Sequence, residues 1–210
     1  MTNSKIFIIG LPRTATTSIC VAMLGMGFKV AHTCYTAECL ANADVIADTP
    51  AYSDYQLLDK LYPGSKFIHL QRELELWIPS IKQLLQRMHT NVTRGDGGFN
   101  PHIKRCFVET FSPFTLENIS SDDFLTQCYQ THQKNVEQYF QGREDVLLSI
   151  DVSKNDSYQR LADFVQAEKA DGQFKRINVG GKVRAWKDIT NSLKVESTKN
   201  GRIDKTIYPK

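Results

Sequence analysis

Residues 6–18 read Ile-Phe-Ile-Ile-Gly-Leu-Pro-Arg-Thr-Ala-Thr-Thr-Ser, and residues 19–26 continue as Ile-Cys-Val-Ala-Met-Leu-Gly-Met. An apolar run that meets a glycine, then a short hydroxyl-rich loop, then a second apolar run, predicts a buried strand, a tight turn and a buried helix. That order constrains the fold more than any other feature of the chain. It aims backbone N–H groups and the positive end of a helix at one point, which suits a phosphate or sulfate group. Gly10 permits the turn, Arg13 adds a fixed positive charge, and Thr14, Thr16, Thr17 and Ser18 supply hydroxyl donors. A Walker A loop has a second glycine followed by Lys and then Ser or Thr. Ala15, Thr16 and Thr17 stand at those places, so the residues predict an anion-binding loop and disfavour an ATPase.

The same alternation continues. Strands are expected over residues 5–10, 28–32, 44–48, 66–70 and 146–150. Helices are expected over 16–27, from a Thr36 cap to 42, and over 53–62, 73–88, 121–140 and 156–165. Residues 91–114 break the pattern: Arg-Gly-Asp-Gly-Gly-Phe-Asn-Pro at 94–101 has turn composition and is expected to be a mobile surface loop, a lid over the site. Beyond residue 169 the tail is polar and weakly patterned. No internal repeat or linker divides the chain, so one domain is expected over 1–210, with its core at about 5–165 and a tail from 169. Repeated strand–helix units predict an α/β fold of three layers, a parallel sheet of P-loop type flanked by helices, with ligands at the carboxyl ends of the strands.

A chain of 210 residues is long enough for a full core, and 41% apolar and 23% charged residues are ordinary for a globular protein. A net charge of +3 without a Lys/Arg run argues against nucleic acid as a partner but fits a site for one small polyanion. The five cysteines form no CxxC pair and are expected to be reduced thiols of a cytoplasmic protein. No apolar run approaches the ~18 residues of a membrane span, so no membrane partner is expected, and no signal peptide is expected before the first strand. His69, His89, His102 and His132 show no metal-ligand spacing, and no metal is expected.

Four segments carry a resemblance. The loop at 10–18 resembles the 5′-phosphosulfate loop of sulfotransferases that use 3′-phosphoadenosine 5′-phosphosulfate, commonly Pro-Lys/Arg-x-Gly-Thr-Thr. Residues 66–80, Lys-Phe-Ile-His-Leu-Gln-Arg-Glu-Leu-Glu-Leu-Trp-Ile-Pro-Ser, resemble that family's strand–Arg–helix element, in which an Arg and a Ser eight residues later hold the 3′-phosphate. Arg72 and Ser80 have that spacing. Residues 129–164 resemble the C-terminal part of small bacterial-type members. Gly181, in Gly-Lys-Val-Arg-Ala-Trp-Lys, resembles the glycine–lysine segment over the 3′-phosphate, although Val179-Gly180 replaces the expected Arg-Lys.

The resemblance implies a donor site made of Pro12, Arg13, Thr14, Ala15, Thr16, Thr17, Ser18, Arg72, Ser80 and Gly181, with the N–H groups of Thr14 to Ser18 around the phosphosulfate. It implies that Arg13 stabilises the leaving 5′-phosphate as a fixed cation. It also implies a small-molecule or glycan acceptor, whose hydroxyl needs a base. Many members place a His just before a Pro at the end of the strand preceding the Arg strand. Asp48-Thr49-Pro50 stands there, making Asp48 the candidate base and His32 the second candidate. Asp151 reads as structural. Two departures matter: Ala15 replaces the loop glycine and would be strained at positive φ, and Ser18 replaces a Trp that packs near the adenine. A P-loop kinase and a non-catalytic nucleotide-binding protein of the same descent are the competing readings.

Overall fold

The computed structural model describes residues 4–167, 172–174 and 186–208. Five strands form one fully parallel sheet in the order β2-β3-β1-β4-β5. They are β1 (Ile6–Ile8), β2 (Val30–Ala31), β3 (Val45–Ala47), β4 (Lys66–Leu70) and β5 (Leu147–Ile150). Among the described residues seven α-helices connect and flank them: α1 (Thr16–Gly25), α2 (Ala37–Asn42), α3 (Ala51–Leu61), α4 (Leu74–Thr93), α5 (Pro101–Thr110), α6 (Asp122–Tyr139) and α7 (Ser157–Val165). The expected three-layer α/β architecture is the one observed, with each regular strand shorter than or equal to its expected span.

Alternating side chains on the strands divide the core in two. Ile6, Ile8, Val45, Ala47, Ile68 and Leu70 pack against Ile19, Cys20 and Met23 of α1 and Leu161 of α7. Phe7, Ile9, Ile46 and Phe67 face Tyr55 and Leu58 of α3 and Val136 and Phe140 of α6. Period-two alternation sends neighbours to opposite faces, so a strand of three residues still serves both layers. A third cluster lies beyond the sheet, where Leu11 and Tyr52 meet Trp77, Ile81 and Leu85 of α4, Phe107 and Phe111, and Leu125 and Tyr129 of α6.

Local chemistry explains the element ends. Thr36 caps α2 by accepting from Cys39 N–H at 3.0 Å, and Ser121 caps α6 by accepting from Phe124 N–H at 3.2 Å. Helix α1 stops at Gly27, which adopts φ 96° and donates to Leu24 C=O, while Phe28 N–H reaches Met23 C=O.

The lid expected over 91–114 is corrected. Helix α4 continues to Thr93, and α5 occupies Pro101–Thr110, leaving 94–100 and 111–114 as loop. Pro101 begins a helix instead of breaking one: it sits in the first turn, where its missing N–H costs nothing, and Asn100 caps it by accepting from Ile103 N–H at 2.9 Å. Cys106, Phe107 and Phe111 are buried against α4. The tail is also more ordered than its composition suggests. Leu193 C=O accepts from Val30 N–H and Val195 N–H donates to Val30 C=O, each at 2.9 Å, so the segment from Trp186 covers the exposed edge of β2. It ends with Ile207 buried and the Tyr208 hydroxyl donating to Asp54.

Candidate functional site

The register of the sheet decides what meets at the loop after β1. Ile8 is level with Ala47 on one side and with Ile68 on the other. The residues that follow β3 and β4, Asp48 and Arg72, therefore flank the central loop at the carboxyl edge of the sheet, the position at which such sheets bind ligands.

The turn itself depends on close approach. A Cβ at Gly10 would lie 2.5 Å from Leu70 Cβ, 3.0 Å from Leu70 Cα and 2.7 Å from Thr14 Oγ1, so no other residue lets β1 leave the sheet on this path. Two non-glycine residues then take left-handed backbone, Arg13 at φ 72° and Ala15 at φ 74°. Asp48 does the same at φ 50°. Strain of this kind collects where surrounding contacts over-determine the chain. Ala15 therefore occupies the conformation that glycine would adopt without penalty.

The loop is only partly a cradle. Thr14 N–H donates to Leu11 C=O at 3.2 Å and Ser18 N–H to Ala15 C=O at 3.0 Å. The buried Thr14 hydroxyl also donates to Leu11 C=O, at 2.7 Å. Thr14 is thus a turn-former whose donors are spent, and the expectation of five N–H groups around a ligand reduces to those of Ala15, Thr16 and Thr17, which have no acceptor among the described residues. Helix α1 opens with no capping side chain and no acidic residue in its first turn, so its positive end is uncompensated.

Two side-chain clusters sit on either side of that helix end. In the first, Arg13 Nε donates to Ser80 Oγ at 2.8 Å, and Arg72 Nη1 donates to Arg13 C=O at 2.7 Å. The fold thus brings Arg13, Arg72 and Ser80 together. Burial depresses the affinity of Arg13 for its proton, the positive charges of Arg72 and Arg87 depress it further, and Asp48 opposes them. Burial likewise lowers that of Arg72. Among the described residues none of these three arginines enters a salt bridge, and a cluster of unpaired guanidinium groups demands an anion.

In the second cluster, Asp48 Oδ2 accepts from the Thr16 hydroxyl at 3.4 Å and Oδ1 from the Thr49 hydroxyl at 3.3 Å. Thr17 Oγ1 and His32 Nε2 lie 3.1 Å apart. Burial pulls His32 below the usual histidine range while Asp48 pulls the other way, so the ring is neutral at pH 7. Trp186 packs on His32 with ring centres 5.4 Å apart. Asp151 is a turn residue: its carboxylate accepts from Ser153 N–H and its C=O from the Ser157 hydroxyl. Gly181 lies outside the described residues. No three His, Cys, Asp or Glu side chains converge on a metal-sized space among the described residues.

Trp77 and Tyr129 also belong to the site, although their apolar positions on helices carried no sign of it. Trp77 Nε1 donates to Pro12 C=O at 2.9 Å, and the Tyr129 hydroxyl contacts both Arg72 N and Arg72 O. Trp186 was visible only as part of the weakly matching 181–187 segment. A groove of about 800 Å³ runs between α3 and α6, lined by Tyr52, Gln56, Thr131, His132 and Asn135, and includes none of Arg13, Asp48 or Arg72. The arginine cluster and open helix end, not this groove, define the candidate site.

An all-parallel α/β sheet with an arginine-flanked loop at the carboxyl edge of its central strand has the setting in which open α/β folds bind ligands. The chain belongs to the sulfotransferase domain family, whose model matches residues 34–183. The match includes Asp48, Arg72 and Ser80 and begins after the loop at 10–18. No curated protein matches the chain. Among the described residues no helix is long and apolar enough to cross a membrane.

Proposed function

We propose that the protein takes a sulfuryl group from 3′-phosphoadenosine 5′-phosphosulfate and passes it to a hydroxyl or amine of a small-molecule or glycan acceptor. The observation that carries this reading is the linked pair Arg13 and Arg72, neither in a salt bridge among the described residues, beside an uncapped helix end with free N–H groups at Ala15, Thr16 and Thr17. A nucleotide that bears phosphate at both 5′ and 3′ positions needs two cationic places within one site. Arg13 with the α1 end offers one, and Arg72 with Ser80 the other.

In the transfer, the bond between sulfur and the bridging phosphate oxygen breaks as a bond from sulfur to the acceptor oxygen forms. Negative charge gathers on the departing oxygen, and Arg13, which keeps its proton, neutralises it. The proton of the acceptor hydroxyl goes to the Asp48 carboxylate, which Thr16 and Thr49 orient. His32, neutral and bonded to Thr17, is the second candidate for that proton. Pro12 and Ser18 bound the loop on either side, and Gly181 is the residue we assign to cover the 3′-phosphate.

One observation supports a second reading. A loop threonine hydroxyl beside a carboxylate, as in Thr16 and Asp48, is also the pairing that holds magnesium in phosphoryl transfer. The test is calorimetry of 3′-phosphoadenosine 5′-phosphate without magnesium, on the natural protein and on Arg72→Ala. The expected result is micromolar binding that Arg72→Ala weakens by about 2 kcal/mol, the scale of charged hydrogen bonds. Failure to bind, with ATP binding only when magnesium is present, overturns sulfuryl transfer in favour of phosphoryl transfer.

A further inference from the structure

We infer that Trp77 and Tyr129 are positioning residues that set the backbone of the donor loop through their single polar atoms; the inference rests on the donor-site reading above. Two consecutive carbonyls, those of Pro12 and Arg13, are held from outside the loop. Trp77, fully buried on α4, holds the first through its indole N–H at 2.9 Å. The Arg72 guanidinium holds the second at 2.7 Å. Arg72 is itself pinned: the Tyr129 hydroxyl on α6 accepts from Arg72 N–H at 2.8 Å and donates to Arg72 C=O at 2.9 Å. The Trp77 and Tyr129 rings lie 4.7 Å apart at 55°, so the two braces form one packed unit.

The geometry has a specific consequence. Each trans peptide is planar, with N–H opposed to C=O. Holding the carbonyl before Arg13 and the carbonyl after it fixes both peptide planes that meet at its Cα, and with them its left-handed φ of 72°. Drawing Pro12 C=O towards α4 turns Arg13 N–H the opposite way, and that N–H has no acceptor among the described residues. Phenylalanine keeps the ring of Tyr129, whereas at the fully buried position 77 it is smaller than the indole, so Tyr129→Phe is the cleaner substitution. What phenylalanine lacks is the indole N–H and the hydroxyl, the two groups that touch the loop system.

The test compares Trp77→Phe and Tyr129→Phe with the natural protein by calorimetry of 3′-phosphoadenosine 5′-phosphate, with circular dichroism as the fold control. Each substitution is expected to weaken binding about fivefold, the scale of one lost hydrogen bond. The decisive arm repeats Tyr129→Phe on an Arg72→Ala background. If Tyr129 acts through Arg72, the loss disappears there, whereas general loosening of α6 would persist unchanged. Tyr129→Phe alone carries the test should Trp77→Phe fail to fold. Variants that bind like the natural protein, or a Tyr129→Phe loss equal with and without Arg72, overturn the inference alone. Absence of binding by the natural protein overturns the donor site and the inference with it.

Discussion

Replacing Ala15 by glycine tests whether the loop is strained, and the direction can be worked out beforehand. Ala15 has φ 74° and ψ 30° immediately before α1. An L-residue in this region costs about 1–2 kcal/mol relative to right-handed backbone, because Cβ crowds the following carbonyl oxygen. Glycine removes that cost but gives the unfolded chain more freedom, which returns about 0.4–1 kcal/mol. Ala15→Gly should therefore stabilise the fold by about 0.5–1 kcal/mol, or about 1–3 °C in Tm for a chain of this size. Ala15→Val should move the other way by a similar amount, since a β-branched side chain is worse still at positive φ. Scanning calorimetry of the three proteins measures the order directly. A glycine variant that melts 2 °C or more below the natural protein, or a valine variant that melts with it, would refute the argument and show that the Ala15 methyl group is packed rather than strained.

Two further outcomes follow from close contacts and burial. Gly10→Ala places a methyl group 2.5 Å from Leu70 Cβ and 3.0 Å from Leu70 Cα; because β1 and β4 must part to admit it, urea unfolding should show a loss of about 1–3 kcal/mol, and an unchanged midpoint would mean that the strands are not so closely joined. His69 and His132 face one another in the core, and burial pushes His69 down to about 3 and His132 down to about 4 from an ordinary 6.5. Folded values below the unfolded value mean that the unfolded state binds more protons, so the stability from neutral burial is present above pH 6.5 and is lost as pH falls towards 4. The slope approaches about 1.4 kcal/mol per pH unit for each ring. Urea midpoints near pH 7 and pH 5 should differ, and His132→Gln, which keeps an N–H donor for Ile9 C=O, should flatten the difference; equal midpoints in the natural protein would contradict the account.

The strands were legible because buried parallel strands are continuous apolar runs, and β4 falls on residues 66–70 as expected. The loop was legible because glycine, arginine and threonines follow such a run. Helix α5 was not, since Pro101 and the glycines before it read as a lid while the proline was serving as a helix start. The tail escaped because its pairing with Val30 involves single residues, which leave no periodic trace. Trp77 and Tyr129 show a different limit. Both fall within helices expected over 73–88 and 121–140, yet an aromatic side chain carries one polar atom whose partner depends on tertiary approach. Thr14 shows the converse: its hydroxyl looked available for a ligand, but a turn of three residues consumed it.

The placement of strain bears on why the site lies where it does. Among the described residues five non-glycine residues have positive φ, and Arg13, Ala15 and Asp48 of these are at the carboxyl edge of the sheet. Gln166 merely ends α7 and Asn200 lies in a turn of the tail. The same edge holds arginines that no salt bridge pairs, with Asp48 opposing the repulsion felt by Arg13 and Asp151 favouring the charge of Arg72. Neither feature aids folding: left-handed alanine and crowded guanidinium groups both oppose it. A chain selected for stability alone would place glycine at 15 and bring a carboxylate within salt-bridge distance of Arg72, where Asp151 acts only from further away. Both costs instead fall on the loop that Trp77 and Arg72 hold directly and that Tyr129 holds through Arg72. The braces hold the strained backbone in place without relaxing it, and under the proposed function the charge it presents is what the anionic donor meets.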